Sequence, residues 1–323
     1  MLGYVMRRLL YMIPTLLVIS FVSFAIIQLA PGNYLTQFQG NDRVDQETLQ
    51  EYAKSLGLDQ PFFARYFLWL QNIILHRDFG YSFELHQPVT KLFLDRLPMT
   101  LLVTIPFFII TWLVAIPLGI YSATHQYSWG DYSLTVLSFL GLSIPTFVFA
   151  LGVMYVMVAG FGATSVGGLF TEKYIGAPWS WGKLLDYLWH LLPVLIIAVG
   201  SAGSLIRLMR GTLLDVLNQQ YVQTARAKGL SERVVLYKHA LRNALNIFIT
   251  ILGGSFSGLI AGSLFIAIVL NIPNIELLFY SALRIGDEYV IMTLLLFFSS
   301  LLLLGNLFAD IMLALVDPRI RYD

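Results

Sequence analysis

The chain has 323 residues, of which 57% are hydrophobic and 12% charged, with a mean hydropathy of +0.73. Soluble domains carry about twice that charged fraction, so a water-solvated globule is excluded and the apolar surface needs lipid. The net charge of +1 provides no basic field for nucleic acid, and the lack of cysteine excludes disulfides, thiolate metal sites and cysteine nucleophiles.

In chain order, Met1–Arg8 leads into an apolar run from Leu9 to Leu29. The run is longer than a signal-peptide core, and Phe21, Phe24 and Gln28 occupy the place of a small-residue cleavage site. It reads as a retained transmembrane anchor. Crossing the hydrocarbon core takes about 20 apolar residues. Six stretches qualify: Leu9–Leu29, Met99–Ala123, Leu134–Ala159, Tyr187–Ile206, Ala244–Leu270 and Tyr289–Leu315. Trp189, His190 and Pro193 interrupt the start of the fourth. Pro14, Pro106, Pro117 and Pro145 lie inside spans and are read as kinks rather than ends, because neighbouring helices can satisfy the freed carbonyls.

The segment Pro31–Leu97, after the first span, is too long for a turn and is expected to be partly helical. Val44–Leu56 reads as a short amphipathic helix ending at Gly57, and Pro61–His76 as a second that starts on proline. The aromatics Phe62, Phe63, Tyr66, Phe67 and Trp69 suit a membrane interface. The segment is either a cap over the outer mouth or a docking surface for a delivery protein.

Orientation follows from the basic residues. Arg7 and Arg8, Arg207, Arg210, Arg226, Lys228, Arg233, Lys238 and Arg242, and Arg319 and Arg321 fall on one side, which is therefore the cytoplasm. Loop four, between the fourth and fifth spans, sets seven of these against Asp215 and Glu232. Loop five sets Arg284 against Glu276, Asp287 and Glu288 and belongs outside. Both termini are then cytoplasmic.

Catalytic constellations are missing. Asp310 is the clearest acid within a span, and it is as readily structural as functional. The five histidines form no HxxxH or HExxH pair, and no metal or cofactor is indicated. Gly176–Lys183 superficially resembles a phosphate loop, but its glycine spacing is wrong and Leu184 replaces the magnesium-holding hydroxyl. In the fifth span Gly254, Gly258 and Gly262 share a helix face and invite close backbone approach, either as packing or as a border of a pathway or partner chain.

Loop four carries the most information. Tyr221–Arg242 reads YVQTARAKGLSERVVLYKHALR. Gln223–Lys228 contains good helix formers, Gly229 suits a left-handed cap, and Ser231 followed by Glu232 suits the start of another helix. A positive-inside loop explains the charge but not this helix–turn–helix, which has the form of an element that inserts into a partner's groove.

Gln223-Thr224-Ala225-Arg226-Ala227-Lys228-Gly229, followed by Leu230 and later by His239-Ala240-Leu241-Arg242, resembles the EAAxxxG…IxLP motif of ABC importer permeases. Gln223, Thr224 and Arg242 replace its Glu, first Ala and Pro. The TARAKGLS and HALRNA stretches are similar to the dipeptide/oligopeptide (peptide/nickel) branch. Other agreeing stretches are Met6–Leu9, Ala30–Gly32, Gly57–Pro61, Arg77–Ser82, Leu97–Pro98, Ile116–Gly119, Leu140–Pro145 with Ser143, and Asp317–Tyr322, so the resemblance covers the whole length. Ala267 and Pro273-Asn274-Ile275-Glu276 depart from the family's acidic residue and PGLG-like turn.

The resemblance implies an all-α membrane protein with six transmembrane helices and the type I ABC importer permease fold. Residues 1–30 would be the cytoplasmic N-terminus and first helix, and 31–97 the periplasmic segment. Residues 98–316 would be the permease core with coupling loop 207–243, and 317–323 the cytoplasmic tail. Implied partners are a second homologous permease chain, two cytoplasmic ATPase subunits, a periplasmic or lipid-anchored binding protein and membrane lipid, in a bacterial inner membrane. Gln223–Leu230 and His239 would meet the ATPase; Gly254, Gly258, Gly262, Ser143 and Pro145 would serve packing or pathway. A secondary transporter or channel, and an intramembrane enzyme, are the competing classes. Both lack the titratable residues they would need.

Overall fold

The computed structural model describes residues 2–29, 54, 60–163, 167–261 and 264–316, with backbone alone for 2, 257–261 and 316. The expected helix Val44–Leu56 (apart from Lys54), Gly262 and the tail 317–323 lie outside the described residues, as do the side-chain surroundings of Gly258. The chain forms two compact units: Met1–Thr100 with Pro273–Leu304, and Leu101–Ile272 with Gly305–Asp323.

The first unit contains α1 (Leu2–Leu29), α2 (Phe62–His76), the start of α3 (Val89–Thr124), α12 (Ile275–Ile285) and most of α13 (Glu288–Val316). Pro61 sits just before α2, where its missing N–H costs nothing, and Arg77 closes the helix in the left-handed region. Phe62, Tyr66 and Trp69 recur at i, i+4 and i+7 and therefore share one face. That face packs on Phe21, Phe24 and Met292, with Phe24 and Phe62 rings 4.9 Å apart. Phe63 and Phe67 do stay exposed. Arg65 completes the contact: it donates to Gln28 Oε1 at 2.9 Å and pairs with Glu288, both side chains being nearly inaccessible. Breaking such a buried pair costs about 3–5 kcal/mol. The unusual turn at Pro273 is built around Asn274, which caps α12 by accepting from the Leu277 N–H at 2.9 Å. Thr100 accepts from the Ile275 N–H at 2.9 Å.

The second unit contains the end of α3, α4 (Trp129–Ser143), α5 (Thr146–Phe161), α6 (Trp181–Ser201), α7 (Gly203–Leu217), α8 (Gln220–Ala227) and α9 (Glu232–Val234). A π-helical turn, Val235–Ala240, then leads into α10 (Leu241–Ala261) and α11 (Leu264–Val269). Pro14, Pro106 and Pro117 lie within continuous helix. Pro145 does not. The single span expected over Leu134–Ala159 is two helices, α4 and α5, bent by 106°. Proline cannot donate to the ladder and forces its predecessor out of the helical region; Ile144 is extended at φ −87°, ψ 120°. The fourth span also differs. It begins at Trp181, capped by Ser180 (which accepts from the Lys183 N–H at 3.2 Å), and helix continues past Ala202 to Leu217. Loop four is thus helical throughout most of its length.

Among the described residues, Gly3–Leu29, Val89–Thr124, Trp181–Leu217 and Glu288–Leu315 are each long and apolar enough to cross a membrane, and the bent α4–α5 pair is a fifth if taken as one span. On α1, Leu10, Ile13, Val18 and Ile26 are exposed, as lipid-facing residues should be.

A Cβ on Gly254 would meet nothing within this chain, and the close approach within the chain is at its neighbour. A Cβ on Gly253 would lie 2.8 Å from Ala309 Cβ and 3.1 Å from Asn306 Cα, and one on Gly305 would strike the Gly253 carbonyl and Phe256. The face is set by what α13 presents, which spacing alone does not reveal. Gly305→Leu should therefore lower the thermal unfolding midpoint in detergent, with overpacking costing about 1–3 kcal/mol, whereas Gly254→Leu should leave it close to the parent's.

Candidate functional site

The helix–turn–helix in loop four is assembled from local capping and one apolar seam. Gln219 is extended and starts α8. Gln223 donates from Nε2 to the Leu217 carbonyl at 3.3 Å, serving an acceptor orphaned at the end of α7. At the other end Gly229 takes φ +77°, a conformation that costs a Cβ-bearing residue energy. Its N–H bonds the Arg226 carbonyl at 2.9 Å and the Leu230 N–H bonds the Ala225 carbonyl at 3.4 Å. These are the two bonds of a Schellman stop. Ser231 occupies the cap position of α9, as its sequence neighbours suggest, but its side chain makes no capping hydrogen bond.

Across the turn Arg226 and Glu232 form a two-point pair, at 2.9 and 3.3 Å. Beneath it Val222, Ala225 and Val235 pack together with Val216 and Leu217 of α7. This seam fixes α8 to the end of α7. It also splits the motif: Ala225 is buried inside the protein, while Gln223, Thr224, Ala227, Lys228, Gly229 and Leu230 are exposed. Arg226 is half-buried in its ion pair, and His239 is half-buried in the π-helical turn. π-Helical turns often mark functional positions. A cavity of about 970 Å3 adjoins this turn, lined in part by Thr124, His125, Gln126, Arg226, Arg233 and Tyr237.

Ser143 and Pro145 are not part of this element. They mark the α4–α5 break, where Ser143 donates to the Phe139 carbonyl at 2.8 Å. Gly254 lies elsewhere on α10.

Charge counting missed a polar cluster one step away. Asp131 is buried in the first turn of α4. It accepts from Arg210 Nε at 2.7 Å and Nη2 at 2.8 Å, from the Tyr127 N–H at 3.0 Å and from the Ser122 hydroxyl. The only sequence signal was Ser128 three residues before Asp131, a capping pattern; the Ser128 hydroxyl indeed accepts from the Asp131 N–H at 3.2 Å. In the sequence Arg210 bears only on orientation.

No group of three His, Asp or Glu residues that could hold a metal occurs among the described residues. The geometry offers a rigidly mounted, exposed helical tip on a multi-pass apolar body.

Comparison with known proteins agrees with that reading. The family described as "Binding-protein-dependent transport system inner membrane component" matches residues 115–322, and its N-terminal companion matches residues 1–104. The chain is 38% identical over 324 residues to the oligopeptide transport system permease protein AppB of Bacillus subtilis, covering 100% of both chains. It is 33% identical over 362 residues to the inner membrane ABC transporter permease protein YejB of Escherichia coli O157:H7, covering 99% of each. The chain belongs to the family of binding-protein-dependent transport system inner membrane components, and is a permease subunit of an ABC importer.

Gly229→Val should strain the left-handed stop and loosen α8. Amide hydrogen exchange over residues 220–235 is expected to accelerate by about five- to thirtyfold, as a cost of about 1–2 kcal/mol implies, while exchange in α6 stays unchanged.

Proposed function

We propose that this chain forms half of the translocation pathway for peptides or peptide-like solutes, and that α8 with its glycine turn is the contact through which separate ATPase subunits drive it. One observation carries the coupling reading. The turn exposes Gln223, Thr224, Ala227, Lys228 and Leu230, while Val222 and Ala225 anchor the same helix to α7. A tip that is exposed on one face and anchored on the other can receive a push and pass it on. The peptide preference rests on the resemblance of the whole chain to an oligopeptide permease.

In this reading the six spans are α1, α3, the broken α4–α5, α6 running into α7, α10 with α11, and α13. Both termini and loop four face the cytoplasm. A second homologous permease completes the pathway, two ATPase subunits bind below, and a periplasmic or lipid-anchored binding protein delivers solute above. Gly254, Gly258 and Gly262 would then face the pathway or the second permease, and His239 would border the ATPase contact. The chain itself holds no catalytic site.

Two experiments test this. Leu230→Asp places a charge on the exposed tip without touching the seam. It should cut recovery of ATPase subunits with the affinity-purified permease by about thirtyfold or more, the effect of leaving a charge buried and unpaired at an interface; undiminished recovery overturns the contact. Because the chain has no cysteine, Ser231→Cys offers a single label site. Membrane-impermeant maleimide should modify it in inverted vesicles and not in intact cells.

A further inference from the structure

The coupling tip is one end of α7, and the other contacts of α7 lead to the broken span. Gly203, Arg207 and Arg210 recur at i, i+4 and i+7 and so share one face of α7. Each meets α4. A Cβ on Gly203 would lie 2.7 Å from the Ser138 carbonyl oxygen, so the two backbones are in direct contact. The Arg207 guanidinium sits 4.5 Å from the centre of the Phe139 ring. Arg210 grips Asp131 at both carboxylate oxygens. Next to Gly203, a Cβ on Gly141 would strike the Gly200 carbonyl. Thus α4 is held to α7 along most of its length.

We infer that Arg210 and Asp131 are a positioning pair for transport: they lock α4 to α7, so that displacement of the coupling tip moves α4 and is taken up at the Ile144–Pro145 break. Three features support this. The pair is the charged, two-point link between the helices, and a fork-to-carboxylate contact fixes angle as well as distance. The Asp131 carboxylate also holds Ser122 of α3 and the Tyr127 N–H of the α3–α4 turn, so it gathers three elements at one atom pair. Beyond the break, α5 is not carried by this lock, since Ile144 is extended and the helix axis turns by 106°. A packed pair of helices ending at a non-helical joint is the form of a lever with a hinge. The inference rests on the coupling reading of α8.

The test uses the whole transporter, reconstituted in liposomes with its partner permease, ATPase subunits and binding protein. Asp131→Asn keeps the shape and can keep the Ser122 and Tyr127 bonds, but loses the ionic grip. Expected is normal recovery of ATPase subunits, with solute transported per ATP hydrolysed falling by about three- to thirtyfold, the range for changes along packed coupling networks. Spin labels at Leu137→Cys and Val156→Cys, exposed positions on α4 and α5, should report an ATP-dependent distance change in the parent that shrinks in Asp131→Asn. The exchanged pair, Asp131→Arg with Arg210→Asp, should recover part of both signals. Ser122→Ala, which removes the bond to α3 but leaves the α4–α7 link intact, should behave like the parent. Unchanged transport per ATP in Asp131→Asn, or a parent in which the label distance does not respond to ATP, overturns the inference. Loss of both signals in Ser122→Ala also does so, because the effect would then be general loosening. Failure of the coupling reading shows separately, as undiminished ATPase recovery with Leu230→Asp.

Discussion

A buried carboxylate must be paired or it pulls the structure apart, and Asp131 is the clearest case in the second unit. A carboxylate shut off from water needs its lone pairs filled and its charge met. Here Arg210, Ser122 and Tyr127 together do so. This requirement draws the end of α3, the start of α4 and the middle of α7 to one point. Once they meet there, small residues at Ser138, Gly141, Gly200 and Gly203 let the backbones close up, and in an apolar solvent such close packing is the main attraction between helices.

The short helix α8 in loop four is held by its own set of contacts. Its helix is short, and an isolated helix of eight residues would not persist in water. It persists because Val222 and Ala225 are buried against Val216, Leu217 and Val235, and because Gly229 and the Arg226–Glu232 pair close the turn. The side chains of Thr224, Ala227 and Lys228 are exposed and take no part in this seam.

The first unit solves a different problem with related means. α2 is amphipathic and too short to span, so it lies against α1 and α13 with its aromatic face inward. A buried Arg65–Glu288 pair fixes its register. Edge-to-face and tilted contacts among Phe21, Phe24, Phe62 and Tyr66 add about 0.5–1.5 kcal/mol each beyond their area.

The sequence by itself determined the solvent, the approximate position of most spans, the helix Phe62–His76 and the glycine turn at 229. Each depends on composition, on a run of apolar residues or on a backbone preference that acts within a few positions. Family membership was legible for the same reason, since its motif is local and contiguous. Tertiary structure decided what depends on which faces meet. It made Pro145 a break where Pro106 and Pro117 are tolerated, and put the close glycine contact at 253 rather than 254. It turned Phe62, Tyr66 and Trp69 inward, and joined Asp131 to Arg210 across 79 positions of chain. A charge far along the chain carries no record of its partner; only folding brings the two close enough for one to need the other.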